Sequence, residues 1–287
     1  AFTTLGAIAM HGFRLAEPQL GETVAVIGMG LLGLLTAQIA TAAGCHVLGV
    51  DIDPARLKLA SSLGLEAVSR KKAVDSAQAF TSNRGFDAVL ICADTKSNDP
   101  VELAGVIARD RARVVATGAV GLNFPRKIYY EKEISFINSR SYGPGRYDPA
   151  YEEGGQDYPV GFVRWTEQRN FEAVLDLMAA RVLDVTPLVS HRFELAQAEE
   201  AYALLSSKEP SLGIVLRYPG PSAERLRRRV KLDEGLLSSG SATDRAAGGA
   251  PEGSAPVVAF LGAGNYAGRV LIPAFKEVNE AYQTICH

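Results

Sequence analysis

Cysteine is scarce: Cys45, Cys92 and Cys286 are the only three in 287 residues, and no two form a CxxC pair. That excludes a small disulfide-framed domain and a zinc ribbon. The four histidines, His11, His46, His191 and His287, are scattered without the helical spacing of metal ligands, so no metal site is expected within this chain. No GxSxG nucleophile elbow occurs. Charge bias is also lacking, with 30 basic and 32 acidic residues giving a net charge of −2, so no general attraction to nucleic acid or anionic membrane is expected. The one basic cluster, Arg225, Arg227, Arg228, Arg229 and Lys231, has no interleaved aromatics for base stacking and reads as a solvated linker. The longest apolar stretch, Val24 to Ala43, is broken by three glycines, Thr36, Gln38 and Thr41, and is a poor membrane span. The chain starts without an initiator Met or a basic leader. It reads as a fragment of a cytoplasmic protein.

What is present is an alternation of strand and helix signals. Thr23 to Ile27, His46 to Val50, Glu66 to Val68, Phe86 to Ile91 and Arg113 to Thr117 are short apolar runs, with Ile134 to Asn138 as one strand more. Between them lie helical segments Leu31 to Ala43, Pro54 to Gly64, Ala73 to Phe80 and Pro100 to Ala108. Continuously apolar strands separated by helices predict an α/β chain with a doubly wound parallel sheet, the Rossmann arrangement. After residue 140 the texture changes. Two amphipathic helices, Glu167 to Ala180 and Leu195 to Leu205, are followed by a strand over Gly213 to Arg217. The expected organisation is a leading helix within 1–22, the dinucleotide domain over 23–140, a substrate-side segment with closing elements over 141–218, a linker over 219–255 and a second unit from 256 to 287.

The chemistry begins at Gly28-Met29-Gly30-Leu31-Leu32-Gly33, a GxGxxG run between a buried strand and a helix. In that context Gly28 serves a tight turn, Gly30 lets backbone approach a pyrophosphate, and Gly33 allows close helix–strand packing. The N–H groups around Leu31 and Leu32, aided by the helix dipole, face the phosphates. About 20 residues on, Asp51 ends the second strand, followed by Ile52. A carboxylate there accepts hydrogen bonds from ribose hydroxyls and repels a 2′-phosphate, which favours NAD over NADP; Arg56 partly offsets that repulsion. A turn or helix-start role for Asp51 is the alternative, the role Asp53 takes before Pro54. The ends of later strands face the same crevice: Cys92, Ala93 and Asp94 after the fourth, Thr117, Gly118 and Ala119 after the fifth.

These residues carry a resemblance. Gly21 to Gly33, supported by Gly49-Val50-Asp51-Ile52-Asp53-Pro54 and by the ending from His191 to Leu216, resembles the zinc-type, medium-chain alcohol dehydrogenases over residues 1–218. Val257 to Phe275 resembles the opening of the glucose-fructose oxidoreductase and inositol dehydrogenase family, with Gly262, Gly264 and Asn265 as a second nucleotide loop. One family followed by the other is similar to bacterial two-domain oxidoreductases, here truncated at both ends. The resemblance implies a dehydrogenase acting on an alcohol, polyol or sugar, whose zinc belongs only to the intact protein. Where the family often places a metal-binding Cys, this chain has Thr3. Catalytic residues are therefore not assigned, and the chain alone is expected to be inactive.

The segment from Tyr142 to Asn170 packs aromatics among charges, and Arg146, Tyr158, Arg164 and Trp165 are candidates for a small, polyhydroxylated or phosphorylated substrate; a surface loop or dimer contact is the alternative. A zinc-free reductase of the same superfamily and a non-catalytic NAD-binding module also remain open. The strand at Val257 to Leu261 is expected to lack a ladder partner before the chain ends.

Overall fold

A computed structural model describes residues 1–207 and 209–220, and the backbone of 257–260 and 283–286. The chain divides into two compact units, Ala1–Gly220 and Pro221–His287. In the first, α1 (Thr3–Ala16) precedes β1 (Thr23–Ile27), α2 (Leu31–Ala42), β2 (His46–Asp51), α3 (Pro54–Ser62) and β3 (Glu66–Ser69). Then follow α4 (Ala73–Phe80), β4 (Phe86–Ile91), α5 (Asp99–Ile107), β5 (Ala108–Ala116), α6 (Arg126–Glu131) and β6 (Ser135–Asn138). The six strands form one parallel sheet in the order β3-β2-β1-β4-β5-β6. The order of strands reverses between β1 and β4, which opens a crevice above their carboxyl ends.

The side-chain period of two builds two cores from one sheet. Val24 and Val26 of β1 and Leu90 of β4 pack with Leu34, Leu35 and Ile39 of α2 and with Met10 of α1. Ala25, Ile27, Val89 and Ile91 face the other side, against Val101, Leu103 and Ala104 of α5. Both faces are covered, which explains why these strands read as unbroken apolar runs. Helix starts obey local chemistry. Asp53 caps α3 by accepting the Ala55 N–H at 2.8 Å, with Pro54 at the first helical position.

One departure concerns β5, which begins at Ala108 rather than Arg113. Arg109-Asp110-Arg111 looks like a loop because it is charged. Arg109 is nevertheless anchored to Asp87 at 2.6 Å, and a register shift between Phe86 and Ala88 accommodates the extra residues. Asp87 also accepts the Thr23 N–H and hydroxyl, each at 2.8 Å, so it ties β1, β4 and β5 together. Burial opposes ionisation of Asp87, but the bonds from Arg109 and Thr23 outweigh it and hold the carboxyl below its ordinary value. A depressed pKa contributes stability above the ordinary carboxylate value and loses it as pH falls through the lowered one. Asp87→Asn should therefore cost about 1–3 kcal/mol at pH 7. The gap between the two urea midpoints should narrow as the pH falls below about 4, the ordinary carboxylate value. A gap that stays constant down to strongly acid pH would refute the linkage.

Beyond β6 the first unit continues with α7 (Pro149–Glu152), α8 (Glu167–Ala179), β7 (Val189–Glu194), α9 (Ala198–Ser206) and β8 (Gly213–Arg217). Only β8 of the last two strands is expected from the sequence; β7 pairs with it in parallel. In the second unit, β9 (Val257–Phe260) pairs in parallel with β10 (Gln283–Cys286). This corrects the expectation of an unpartnered strand. Residues 261–282 span the dozen or more that a parallel crossover needs, and the partner lies in the short terminal run Gln283-Thr284-Ile285-Cys286. Gly262, Gly264, Asn265, the Arg225–Lys231 cluster and nearly all of the expected linker lie outside the described residues. Among the described residues no helix is long and apolar enough to cross a membrane.

Candidate functional site

The crevice above β1 and β4 is a cleft of 760 Å³. Its walls come from the glycine loop, the end of β2, the turns after β4 and β5, and the start of α5. Gly28 has φ +95°, a backbone state that disfavours other residues, and a Cβ there would lie 2.6 Å from Ala93 N. Gly33 is tighter still, since its Cβ would meet the Gly28 carbonyl oxygen at 1.8 Å. Gly30 differs: a Cβ there would have nothing within 4 Å. The fold thus requires the outer glycines, whereas the middle one borders open space in the cleft. Gly30 is also the N-cap of α2 and makes no side-chain cap bond; its carbonyl accepts the Leu34 N–H at 2.9 Å, and the amide N–H groups ahead of that bond, at Leu31 and Leu32, are the ones placed to meet an anion.

Asp51 is held by two backbone donors. Met29 N–H reaches one carboxylate oxygen at 2.6 Å and Asp53 N–H the other at 2.8 Å. The turn role anticipated as an alternative is real, yet it does not exhaust the group. An ionised carboxylate accepts about four hydrogen bonds, and Asp51 lines the cleft with lone pairs to spare. The Met29 side chain is buried and packs against Gly49, away from the cleft. Only its N–H serves the site.

Ile52 stands at the rim with 83% of its surface exposed, an apolar platform beside Asp51. Arg56 also lines the cleft, but its guanidinium donates to the Ser211 carbonyl at 2.9 Å and lies 3.7 Å from Asp53. Cys92, Ala93, Asp94, Gly118 and Ala119 all border the cleft, whereas Thr117 does not; its hydroxyl lies beneath Gly12 of α1. The Cys92 thiol donates to Thr36 Oγ1 at 3.6 Å, and burial pushes it up to about 11. Such a thiol holds little thiolate near neutral pH and is a spacer rather than a nucleophile.

Arg70 and Asp99 are site residues that the sequence does not single out. They form a two-pronged ion pair, with N–O distances of 2.7 and 2.6 Å, on the wall of the cleft. The available signal is positional, since Arg70 follows β3 and Asp99 opens the helix after β4, both at carboxyl ends of strands.

The four candidates on the substrate side do not meet the cleft lining. Arg146 pairs with Glu152 at 2.6 Å, and the Tyr142 hydroxyl donates to the same carboxylate. Tyr158 donates to Asp148 and stacks on Tyr151 with centroids 5.7 Å apart. Arg164 and Trp165 belong to a separate group against α1.

Residues 32–153 match the zinc-binding dehydrogenase family. The likeness is to the zinc-type medium-chain alcohol dehydrogenases. A sorbitol dehydrogenase of Halalkalibacterium halodurans is 26% identical over 220 residues, which are 73% of this chain and 56% of that protein. The alcohol dehydrogenase TADH from Thermus sp. ATN1 superposes with a TM-score of 0.61 at 25% identity, over 76% of this chain and 57% of that one. A putative zinc-binding dehydrogenase from Sinorhizobium meliloti 1021, solved bound to NADP, has the same fold with a TM-score of 0.57 at 22% identity, over 76% of this chain and 58% of that one. This chain spans a little over half the length of these relatives. Zinc, which the family name carries, finds no fit here: among the described residues no three His, Cys, Asp or Glu side chains come together as a metal site.

Proposed function

We propose that residues 1–218 are the cofactor-binding part of an NAD-dependent oxidoreductase that moves hydride to or from an alcohol, polyol or sugar hydroxyl. The observation that carries this reading is the pairing of an open Gly30 with an Asp51 carboxylate fixed on the same cleft wall. The free N–H groups at the start of α2 suit the pyrophosphate, and Asp51 suits the two ribose hydroxyls. Ile52 and the Arg70–Asp99 pair flank the adenosine end. The small residues Cys92, Ala93, Gly118 and Ala119 leave room for the nicotinamide end. When bound, the nicotinamide supplies or accepts the hydride; the chain's part is to bind and orient it. The similarity to a sorbitol dehydrogenase supports the hydroxyl-bearing substrate class. We further read the second unit as glucose-fructose oxidoreductase-like, a reading with which its parallel β9–β10 pair agrees.

Because the fold is also found in a structure solved with NADP, the choice of cofactor rests on Asp51. Calorimetric titration of this chain should give NADH an affinity at least about tenfold higher than NADPH, as expected for one repelled 2′-phosphate. Equal affinities would remove the NAD assignment, and no binding of either cofactor would remove the function.

A further inference from the structure

Among the described residues the cofactor cleft is lined by two cations, Arg56 and Arg70, against four carboxylates, Asp51, Asp53, Asp94 and Asp99. Both cations are engaged. Arg56 donates to the Ser211 carbonyl at 2.9 Å and lies 3.7 Å from Asp53. Arg70 gives Nε to one oxygen of Asp99 at 2.7 Å and Nη2 to the other at 2.6 Å. That two-pronged arrangement is the one in which an arginine also takes a phosphate, so the carboxylate occupies a phosphate's seat on Arg70. The pair is not sealed off from ligands. The side chains of Arg70 and Asp99 are 31% and 46% exposed, and both line the cleft.

The sheet brings Arg70 next to Asp51. Strands β2 and β3 run parallel with Asp51 opposite Ser69, and neighbouring strands lie about 4.8 Å apart. Arg70 is therefore one residue past the register partner of Asp51, level with Ile52 in the chain. Asp99 comes from elsewhere, the first residue of α5, and closes on Arg70 across 29 positions of sequence. An ion pair so exposed adds little to folding. Its effect at this place is electrostatic: it offsets the positive charge that the end of β3 presents beside Asp51.

Building on the NAD reading, we infer that Asp99 is a specificity-determining residue, which by holding Arg70 works against a cofactor that carries a 2′-phosphate. Asp51 and Asp99 act by different means. Asp51 accepts the ribose hydroxyls and repels a phosphate in their place; Asp99 denies that phosphate its counter-charge. The Nη1 edge of Arg70 stays open, but a phosphate that approaches it meets a charge already offset by the carboxylate on the opposite edge. NADH makes no such demand. Its ribose hydroxyls are neutral and bond to Asp51, so freeing Arg70 alters nothing they use. Asp99 touches neither cofactor in this scheme and acts through Arg70. That role has a signature of its own, since NADPH responds to the loss of Asp99 and NADH does not.

Calorimetric titration with NADH and NADPH tests this on the whole chain and on its Asp99→Asn, Asp51→Ser and doubly substituted variants. Asparagine keeps the shape of Asp99 but replaces one acceptor oxygen by a donor, so the fork on Arg70 opens. Asp99→Asn should raise NADPH affinity about tenfold, the scale of one hydrogen bond to a charged group, in the parent and in the Asp51→Ser chain alike, while NADH stays within about twofold of its starting value in each. The urea midpoint should stay near that of the parent. Adding Arg70→Gln should cancel the gain, which separates a freed guanidinium from the loss of a negative charge in the cleft. NADPH affinity unmoved in both backgrounds, NADH rising equally, or a gain that survives Arg70→Gln would overturn the role of Asp99 and leave the NAD reading standing. A parent chain that binds neither cofactor would remove that reading and the role of Asp99 with it.

Discussion

Gly33→Ala should abolish the folded first unit, whereas Gly30→Ala should leave folding intact and remove dinucleotide binding. The two glycines lie three residues apart in one motif, and the geometry assigns them opposite roles. A Cβ at Gly33 would lie 1.8 Å from the Gly28 carbonyl oxygen, less than a tolerable approach, and the obstacle is backbone rather than a flexible side chain. Relief would require moving the first turn of α2, whose Leu34 and Leu35 are fully buried in the core. Ordinary overpacking costs about 1–3 kcal/mol, and a backbone clash in a tight turn should exceed it. That is a large fraction of the roughly 5–15 kcal/mol typical of a domain. Gly30 has an ordinary φ of −70° and empty space where a methyl would go. Alanine fits the fold there but intrudes where the pyrophosphate is proposed to lie, and a tenfold or greater loss of NADH affinity is expected, about 1.4 kcal/mol. Urea unfolding and an NADH fluorescence titration on both variants separate the two effects. A Gly30→Ala chain that binds NADH as the parent does would move the pyrophosphate elsewhere in the cleft.

The same contrast shows what can be read from the residues alone. The sheet is legible because parallel strands covered on both faces leave uninterrupted apolar runs, as in Val24-Ala25-Val26-Ile27 and Ala88-Val89-Leu90-Ile91. Asp51 is legible from its distance to the glycine loop and its place at a strand end. Pair partners are not. Arg70 and Asp99 are 29 residues apart, and Arg109 reads as loop until Asp87 is seen beside it. The strand β7 alternates exposed and half-buried residues on the surface, a weaker signal than a buried run. The substrate-side candidates stand out by composition, and composition does not say which carboxylate each cation will meet. Arg146 meets Glu152, whereas Arg14, which carries no signal in the sequence, stacks on Trp165.

Asp51→Ser should lower NADH affinity by at least about tenfold while improving NADPH affinity little. Two losses combine on the NADH side. The ribose hydroxyls lose a charged acceptor, and hydrogen bonds to charged groups contribute about 1.5–3 kcal/mol. The Met29 and Asp53 N–H groups lose the carboxylate that joins the glycine loop to the turn after β2, so the pyrophosphate seat is less well ordered as well. On the NADPH side the substitution removes repulsion but supplies no attraction. Arg56 is the nearby cation that would normally be credited with binding a 2′-phosphate. Here its guanidinium is tied to the Ser211 carbonyl at 2.9 Å and held near Asp53 at 3.7 Å. Breaking those contacts to reach a phosphate costs much of what the new ion pair would return. The preference should therefore narrow toward parity without reversing, because both affinities become weak. Calorimetry with both cofactors on Asp51→Ser decides the point. A clean reversal, with NADPH gaining about a hundredfold (roughly 2.7 kcal/mol), would show that Arg56 leaves Ser211 readily and that Asp51 alone had been restraining it.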